Sequence, residues 1–308
     1  MSVIRIEDIS HVRFSAPDLQ QMQTYLEEFG LSPVPTTDGR LYMRGCGGAP
    51  FLHVTEQGDP GFAGVAFRAA SLEDLSTLAA SEGVAVEPLA APGGGFVVHL
   101  SDPDGHPVEV VAGQAFESPA AFPPREAWNS LHQRNRLRTV KRTGQGPAHV
   151  ARLGHAVLNV SDFRASEAWY KTRFGLITSD EVAAAPGFSI GAFMRCDRGD
   201  QPTDHHTLFL LQNPKGPGFN HAAFEVRDLD DLMAGHDHLK SAQRTPAWGV
   251  GRHILGSQVF DYWRDPWGHI LEHWTDGDLL TADDGSNIAS LPDLIGVQWG
   301  VPTPPDFG

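Results

Sequence analysis

An internal repeat of three matched blocks, in the same order in both halves, constrains the fold of this chain more than any other feature. The first block, residues 9–31, matches residues 153–176. Each copy is typical of a strand, a turn with an aspartate near a helix N-cap, an amphipathic helix and a glycine that ends it. Each half is therefore predicted to begin with one strand–helix unit.

The other two blocks extend the match towards the end of each half. Residues 59–67 match residues 216–224, and each block is followed by a helix that opens with acidic residues. Residues 99–109 match residues 262–272, and both copies keep an Asp-Pro-x-Gly turn and a final glutamate. Three matches in one order indicate two copies of a strand–helix–strands–helix–strands module.

The repeat divides the chain into an N-terminal domain at residues 1–113, a linker at 114–149, a C-terminal domain at 150–278 and a tail at 279–308. The linker is rich in proline and glycine, and we expect one short helix around residues 126–134. Its basic run, residues 134–142, is interpreted as a solvated or subunit-contact segment because the whole chain is acidic. The polar, proline-rich tail is expected to cover the surface, with Trp299 held against it.

The composition is that of a soluble globular protein, with 41% hydrophobic and 20% charged residues. No apolar run is long enough to cross a bilayer, and no charged-then-apolar leader follows Met1. The two cysteines, Cys46 and Cys196, cannot form a disulfide framework, which favours a cytoplasmic location. A net charge of −15 argues against a nucleic-acid partner or an anionic membrane surface, whereas fifteen histidines favour metal chemistry.

The two copies differ at the residues that could hold a metal ion. The second copy has His155 on its first strand, His221 on a middle strand and Glu272 on its last strand. The first copy keeps a histidine and a glutamate at the outer places but has Gly64 at the middle one. Glycine offers no ligand, so a complete site is predicted in the second copy and a vestigial one in the first.

Two imidazoles and a carboxylate on separate strands are typical of a 2-His-1-carboxylate facial site, which leaves coordination positions open for non-haem Fe(II) oxygenase chemistry. A metal ion would also compensate Glu272, which is costly to bury in an apolar strand unless something pairs with it. Each residue could instead be an ordinary core or surface group with other partners. Their matched places in a repeated module favour the metal site.

Three more polar residues of the C-terminal domain are candidates for chemistry. His206 lies in a predicted strand at residues 204–210, His253 follows a glycine-containing loop, and Tyr262 lies one strand length before Glu272. Tyr262 and Glu272 flank the second Asp-Pro-x-Gly turn, so we expect them near one another without being adjacent. The alternatives are a polar strand edge for His206 and an ordinary core position for Tyr262.

The string Gly-x-His…Tyr-x-x-Asp-Pro-x-Gly-x-x-x-Glu, from Gly251 to Glu272, resembles the type I extradiol ring-cleaving (catechol) dioxygenases of the vicinal oxygen chelate superfamily. The resemblance covers residues 11–276. It implies an α+β fold of two tandem modules of paired βαβββ motifs, glyoxalase/extradiol dioxygenase-like, with mixed curved sheets. It also implies catalysis in the C-terminal domain and a homo-oligomer.

The same resemblance implies a role for each candidate residue. The family's metal ligands fall on His155, His221 and Glu272. Its acid–base histidine falls on His206, and its two substrate-binding residues fall on His253 and Tyr262. The implied cofactor is Fe(II), with Mn(II) as an alternative, because the chemistry needs electron transfer to O2 and Zn(II) has no redox chemistry.

The implied reaction is extradiol (meta) ring cleavage of an aromatic diol or triol with O2, which incorporates both oxygen atoms and serves aromatic-compound degradation. Apolar residues are expected to wall the substrate pocket, namely Phe188, Phe193, Met194, Trp248 and Ile254. One departure from the family is Asp261, where an apolar residue is usual. Alternation along the strand turns Asp261 away from Tyr262, towards a subunit contact or the substrate channel.

Two other functions compete with this one. A glyoxalase-type isomerase of the same superfamily typically has a second glutamate ligand where the dioxygenases have a histidine, and it lacks the tyrosine signature. A non-catalytic protein that sequesters small molecules in paired βαβββ modules would have no need for three metal ligands together with His206 and Tyr262. The sequence therefore favours the dioxygenase.

Overall fold

The computed structural model describes residues 2–122, 127–305 and 307. Within them, the chain forms two large mixed sheets and a short two-stranded one, with helices packed on the large sheets. The strands of the first sheet come from residues 6–112 and those of the second from residues 150–300. No helix in the described part of the chain is long and apolar enough to span a membrane.

The first sheet has eight strands in the order β2-β3-β4-β1-β5-β8-β7-β6. They are β1 (Ile6–Ala16), β2 (Ser32–Val34), β3 (Leu41–Arg44), β4 (His53–Gln57), β5 (Gly61–Ala69), β6 (Glu87–Pro88), β7 (Phe96–Ser101) and β8 (Pro107–Ala112). The helices of this half are α1 (Leu19–Phe29) and α2 (Leu72–Glu82). Strand β1 lies at the centre, parallel to β4 and antiparallel to β5.

The second half has the following strands: β9 (Val150–Val160), β10 (Ile177–Ala185), β11 (Phe188–Arg195), β12 (Thr203–Asp204), β13 (Leu208–Gln212), β14 (Gly218–Val226), β15 (Thr245–His253), β16 (Val259–Arg264), β17 (Ile270–Thr275), β18 (Leu279–Leu280), β19 (Asn287–Ser290) and β20 (Val297–Gly300). Its helices are α3 (Phe163–Phe174), α4 (Leu229–Ser241) and α5 (Leu291–Ile295). The large sheet has the order β19-β10-β11-β13-β9-β14-β17-β16-β15-β20. Without its two edge strands, this order matches that of the first sheet strand for strand, which confirms the α+β fold of two tandem modules.

Local sequence explains why the repeated helices begin and end at matched places. Asp18 and Asp162 cap α1 and α3, each side chain accepting a hydrogen bond from a backbone N–H three residues on. Gly30 and Gly175 then end these helices in the left-handed conformation that glycine adopts readily.

The two modules share one hydrophobic core. Phe29 of α1 stacks on His273 of the second sheet, with ring centroids 3.9 Å apart, and its carbonyl accepts a hydrogen bond from that imidazole. Phe174 of α3 packs in turn against Phe67 of the first sheet. Each of these helices therefore contacts the sheet of the other module. Packing of the first module thus contributes to the stability of the second sheet.

Two expectations about irregular segments are wrong. Residues 127–134 form no helix, and residues 123–126 lie outside the described part of the chain. The tail does more than cover the surface, because β19 pairs with β10 at one edge of the second sheet and β20 pairs with β15 at the other. Helix α5 lies between these two strands in sequence, so the tail crosses from edge to edge.

Candidate active site

Three adjacent central strands of the second sheet carry the predicted metal ligands. His155 lies on β9, His221 on β14 and Glu272 on β17, and all three side chains are buried. Pairing of β14 with both neighbours places Ala223 opposite His155 on one side and Glu272 on the other. The three potential ligand atoms lie within 4.8 Å of one another. The order of the strands in the second sheet therefore places His155, His221 and Glu272 next to one another.

The charge balance of this cluster fits a bound cation. Among the described residues, Nδ1 of His155 has no hydrogen-bond partner, and Oε2 of Glu272 lies 3.3 Å from Nε2 of His155 and 3.5 Å from Nε2 of His221 without a hydrogen bond to either. Burial raises the pKa of Glu272 well above its ordinary value. Burial lowers the pKa of His221 to about 3 and lowers that of His155 as well, so both imidazoles are neutral at pH 7. A divalent cation would supply the positive charge that the buried carboxylate lacks.

The equivalent place in the first module is filled by an arginine. Arg13 donates hydrogen bonds to both Glu109 and Glu56, and His11 also contacts Glu109. Burial alone would raise the pKa of Glu109, but the His11 hydrogen bond and the charges of His11 and Arg13 lower it to about 2.

Gly64, at the middle ligand position of the first module, could not be replaced by histidine without strain. Gly64 has a φ of +140°, and a Cβ added there would lie 2.8 Å from the carbonyl oxygen of Pro107. The sequence analysis identified the missing ligand at Gly64 but did not identify Arg13, whose guanidinium lies beside Glu109 in the first module. Alignment of the repeats, which sets Arg13 against Val157 of the cavity wall, could have revealed it.

His206 lies against the predicted metal ligands, and the strand predicted at residues 204–210 is interrupted around it. The segment 205–207 separates β12 from β13 instead of continuing one strand. The irregular backbone directs the buried imidazole of His206 onto His155, with ring centroids 3.9 Å apart. Burial and the neighbouring imidazoles hold the pKa of His206 well below its ordinary value, so the ring is neutral.

Tyr262 and Glu272 are closer than the sequence suggested. The turn between them pairs β16 with β17 so that the two residues lie directly opposite one another. Their expected separation was therefore wrong. His253, at the end of β15, lies next to this pair, because its Nε2 is 2.8 Å from the Tyr262 hydroxyl. Burial lowers the pKa of His253 to about 3 and raises that of Tyr262 well above its ordinary value, so both are neutral.

A cavity opens above these residues and is lined mostly by apolar side chains. Its volume is about 140 Å³, close to the ~150 Å³ of a protein cavity that accommodates benzene. Of the predicted walls, Phe193 and Trp248 line it. The other three predictions are wrong, because Phe188 is exposed, Met194 is buried in the shared core, and Ile254 lines a different pocket.

The tail supplies walls that the sequence analysis missed. Leu294, Ile295, Thr303 and Phe307 all line the cavity. Phe307 lies 4.9 Å, between ring centroids, from both Trp248 and Tyr262. The apolar residues of an otherwise polar tail were a usable signal, since isolated apolar side chains in such a segment need a surface to pack against.

Asp261 lies on the opposite face of β16, as alternation predicted, but it reaches neither the channel nor the surface. It is fully buried and accepts hydrogen bonds from Trp263 Nε1 at 2.6 Å and from His236 Nδ1 at 3.1 Å. His236 belongs to α4, so the carboxylate links β16 to that helix.

Known proteins share both the sequence and the fold of this chain. Residues 152–273 match the Glyoxalase/Bleomycin resistance protein/Dioxygenase superfamily. Metapyrocatechase 2 of Cupriavidus necator is 29% identical over 98% of the chain and 91% of that protein. An iron-dependent extradiol dioxygenase of Rhodococcus jostii is 27% identical over 48% of the chain and 50% of its own length.

Two solved structures share the fold across nearly the whole chain. The Mn(II)-bound glyoxalase of Novosphingobium aromaticivorans has a TM-score of 0.78 at 23% identity, covering 97% of this chain and 92% of that one. The 2,3-dioxygenase LapB of Pseudomonas sp. KL28 has a TM-score of 0.77 at 15% identity, covering 94% and 99%. These likenesses confirm the predicted fold, and the sequence relatives agree with the predicted resemblance to extradiol dioxygenases. Residues 152–273 carry a domain of the glyoxalase/vicinal oxygen chelate type, and the sequence relatives are named as extradiol dioxygenases.

Proposed function

We propose that this enzyme catalyses extradiol (meta) cleavage of a catecholic ring with O2, incorporating both oxygen atoms, at an Fe(II) ion held by His155, His221 and Glu272. The main support is one observation, namely that three buried ligand atoms within 4.8 Å of one another lie beside a cavity of aromatic-ring size. In this proposal residues 150–278 form the catalytic domain, and residues 1–113 form a supporting domain without a complete metal site.

The donor set suits Fe(II), and Mn(II) is the alternative. Two neutral imidazoles and a carboxylate are the donor types of 2-His-1-carboxylate sites, and His155, His221 and Glu272 would hold the ion while leaving it accessible to other ligands. When bound, the metal supplies redox activation of O2 and Lewis-acid binding of the catechol oxygens. The iron-dependent and Mn(II)-bound relatives support either ion.

Tyr262 and His253 bind the substrate oxygens in this proposal. The Tyr262 hydroxyl is neutral and can donate a hydrogen bond to an ionised catechol oxygen. His253 Nε2, 2.8 Å away, orients that hydroxyl. Both groups therefore hold the ring in one orientation within the cavity before the reaction begins.

His206 is the acid–base group. It is neutral, lines the cavity and packs against His155, so its ring lies beside the proposed reacting centre. A neutral imidazole can accept a proton from the substrate and later return it as the ring opens. The apolar walls around it exclude bulk water from the charged groups that form during turnover.

Substrate size follows from the cavity. A volume of about 140 Å³ matches a single benzene-like ring, so we propose catechols and trihydroxylated benzenes with small substituents, as intermediates of aromatic-compound degradation. A homo-oligomer and a cytoplasmic location stay predictions.

The experiment is an oxygen-uptake assay on protein loaded anaerobically with Fe(II), Mn(II) or Zn(II). Each form is offered catechol, alkylcatechols, a trihydroxylated benzene and a dihydroxybiphenyl. We expect uptake and a coloured ring-fission product with Fe(II), and little with Zn(II). A glyoxalase-type isomerase would consume no O2, and a sequestering protein would bind the ring without turnover. Absence of O2 uptake with every catechol would reject the proposal.

A further inference from the structure

Asp261 is a buried carboxylate that the proposed reaction does not use. Its side chain is fully buried, and Trp263 Nε1 donates a hydrogen bond to its Oδ2 at 2.6 Å. Both of its carboxylate oxygens lie 3.1 Å from Nδ1 of His236 on α4. A buried carboxylate that loses a partner is costly. The contact between Asp261 and His236 therefore attaches β16 to α4.

The electrostatics of this pair agree with its geometry. The hydrogen bond with Asp261 raises the pKa of His236, although partial burial of the imidazole acts in the opposite direction. The charges of Asp261 and Asp237 raise this pKa further, and the charge of Lys240 lowers it. The site thus favours a proton on the imidazole beside the carboxylate, as expected for an ion pair.

Asp261 belongs to the cross-strand pair next to the one that carries the proposed site. Asp261 lies opposite His273, and Tyr262 lies opposite Glu272. Because side chains alternate along a strand, the first pair faces the helices and the second faces the cavity. His273 is also held from behind, since its Nε2 donates to the carbonyl of Phe29 of α1 at 2.7 Å. One helix from each module therefore holds the rear pair.

Pairing with β15 holds Tyr262 less regularly than pairing with β17. Tyr262 lies opposite Trp248 of β15, and the register shifts on both sides of Trp248, before it from Pro246 and after it towards Gly251. Irregularities of this kind disrupt the hydrogen-bond ladder locally and bend the strand. Towards this edge of the described sheet, β15 and the four-residue β20 follow β16. Contacts behind β16 therefore contribute to fixing its position.

The hydrogen bond of the Tyr262 hydroxyl depends on that position. The hydroxyl lies 2.8 Å from His253 Nε2, and such a bond weakens as its distance or angle departs from the optimum. We infer that Asp261 and His236 are positioning residues, whose buried pair holds β16 so that the Tyr262 hydroxyl meets His253 and the substrate. The inference rests on the proposed substrate-binding role of Tyr262. Neither Asp261 nor His236 is part of the described cavity wall, so they act through Tyr262.

The test changes the helix side of the pair, where His236 is partly exposed and a substitution is accommodated more easily than at Asp261. His236→Leu removes the donor to Asp261. His236→Asn is the conservative variant, because its side-chain NH2 can take the place of Nδ1 and keep a donor there. His238→Leu is the matched control, since it makes the same change on the same helix and Asp261 contacts His236 instead.

Carbon NMR of protein with 13C-labelled tyrosine rings, loaded with diamagnetic Zn(II), reports on the Tyr262 hydroxyl without turnover. The chain has four tyrosines, and Tyr262→Phe assigns the signal. We expect His236→Leu to shift the Tyr262 signal and to leave those of Tyr42 and Tyr170 in place. His236→Asn and His238→Leu should resemble wild type. An unmoved Tyr262 signal in His236→Leu, or equal shifts of all the tyrosines, would overturn the inference.

Kinetics with Fe(II) give the second measurement. His236→Leu should lower kcat/KM for catechol by up to about tenfold, with metal content unchanged. In the Tyr262→Phe background the same substitution should cost nothing further, because the group that it positions is absent. The same fold loss in both backgrounds, or loss of metal, would overturn the inference. An inactive wild type would instead count against the proposed function, and the tyrosine spectra would still decide whether the pair positions Tyr262.

Discussion

Tyr262 lies directly opposite Glu272 in the antiparallel pair of β16 and β17, and its hydroxyl is 2.8 Å from His253 Nε2. One pair of strands thus carries both a proposed metal ligand and a proposed substrate ligand. We expect Tyr262→Phe to lower kcat/KM for a catechol by about 10- to 100-fold through loss of one charge-assisted hydrogen bond. Steady-state oxygen uptake measures this, and metal content should stay at the wild-type level. Unchanged kcat/KM would remove Tyr262 from the substrate site.

Glu272→Gln should abolish stable metal binding, because the amide is neutral and the two remaining imidazoles hold a divalent ion weakly. The measurement is metal content after dialysis, together with a calorimetric titration of Fe(II) or Mn(II). Glu109→Gln is the matched control, since Glu109 occupies the same place in the first module and is bound by Arg13 instead. Normal iron content in Glu272→Gln would remove this residue from the ligand set.

His206→Phe should retain the metal and lose about 10²- to 10⁴-fold in kcat, the usual contribution of a positioned acid–base group. Phenylalanine keeps a ring packed against His155 but cannot accept or donate a proton. Metal analysis and single-turnover kinetics on the same preparation separate the two effects. Wild-type turnover in this variant would contradict the acid–base role.

Phe307→Ala tests whether the tail forms part of the substrate site. The Phe307 ring closes the cavity against Trp248 and Tyr262. An aromatic contact of this kind contributes about 0.5–1.5 kcal/mol, so we expect KM for catechol to rise by about two- to tenfold. Ile288→Ala, at an exposed tail position outside this cavity, is the control and should leave KM unchanged. Equal KM values for the two variants would contradict this role.

The pH dependence of stability is expected to involve His53, on β4 of the first module. Burial lowers its pKa from 6.5 to about 3. Between these pH values only the unfolded chain binds a proton at His53. The contribution of neutral His53 to the free energy of unfolding is therefore fully present above about pH 6.5 and is lost as pH falls towards 3. Each unit of pKa shift corresponds to about 1.4 kcal/mol.

His53→Phe should therefore flatten the fall in the free energy of unfolding between pH 6.5 and 3. The substitution suits the site, because the imidazole already stacks on Phe14 at 4.9 Å. Urea unfolding at a series of pH values measures the slope. His132→Phe, at an exposed linker position, is the control and should behave like wild type. An unchanged slope in His53→Phe would show that another group causes the acid sensitivity.

The sequence predicted the parts of the fold that depend on local periodicity and repetition. The repeated blocks gave the two modules, and the contrast between His221 and Gly64 indicated which module could hold a metal. Strand pairing is a long-range property, and for that reason the direct opposition of Tyr262 and Glu272 was not foreseen.

The cavity walls were predicted less well because they depend on tertiary placement. Hydrophobicity alone could not distinguish Phe193, which lines the cavity, from Met194, which faces the core on the other side of the same strand. Phe307 enters the site only because β20 pairs with β15 at the edge of the sheet. His205 contacts both His206 and Asp180, and this contact likewise joins two segments that pairing of distant strands brings together.

The most direct test of the central claim is the identity of the product that the Fe(II)-loaded enzyme forms from catechol. We predict consumption of one O2 per catechol. Mass spectrometry should then show a ring opened beside the two hydroxylated carbons, with the mass of catechol plus two oxygen atoms, and Glu272→Gln should form none of it. Cleavage between the two hydroxylated carbons, an intact ring, or equal product from Glu272→Gln would contradict the account.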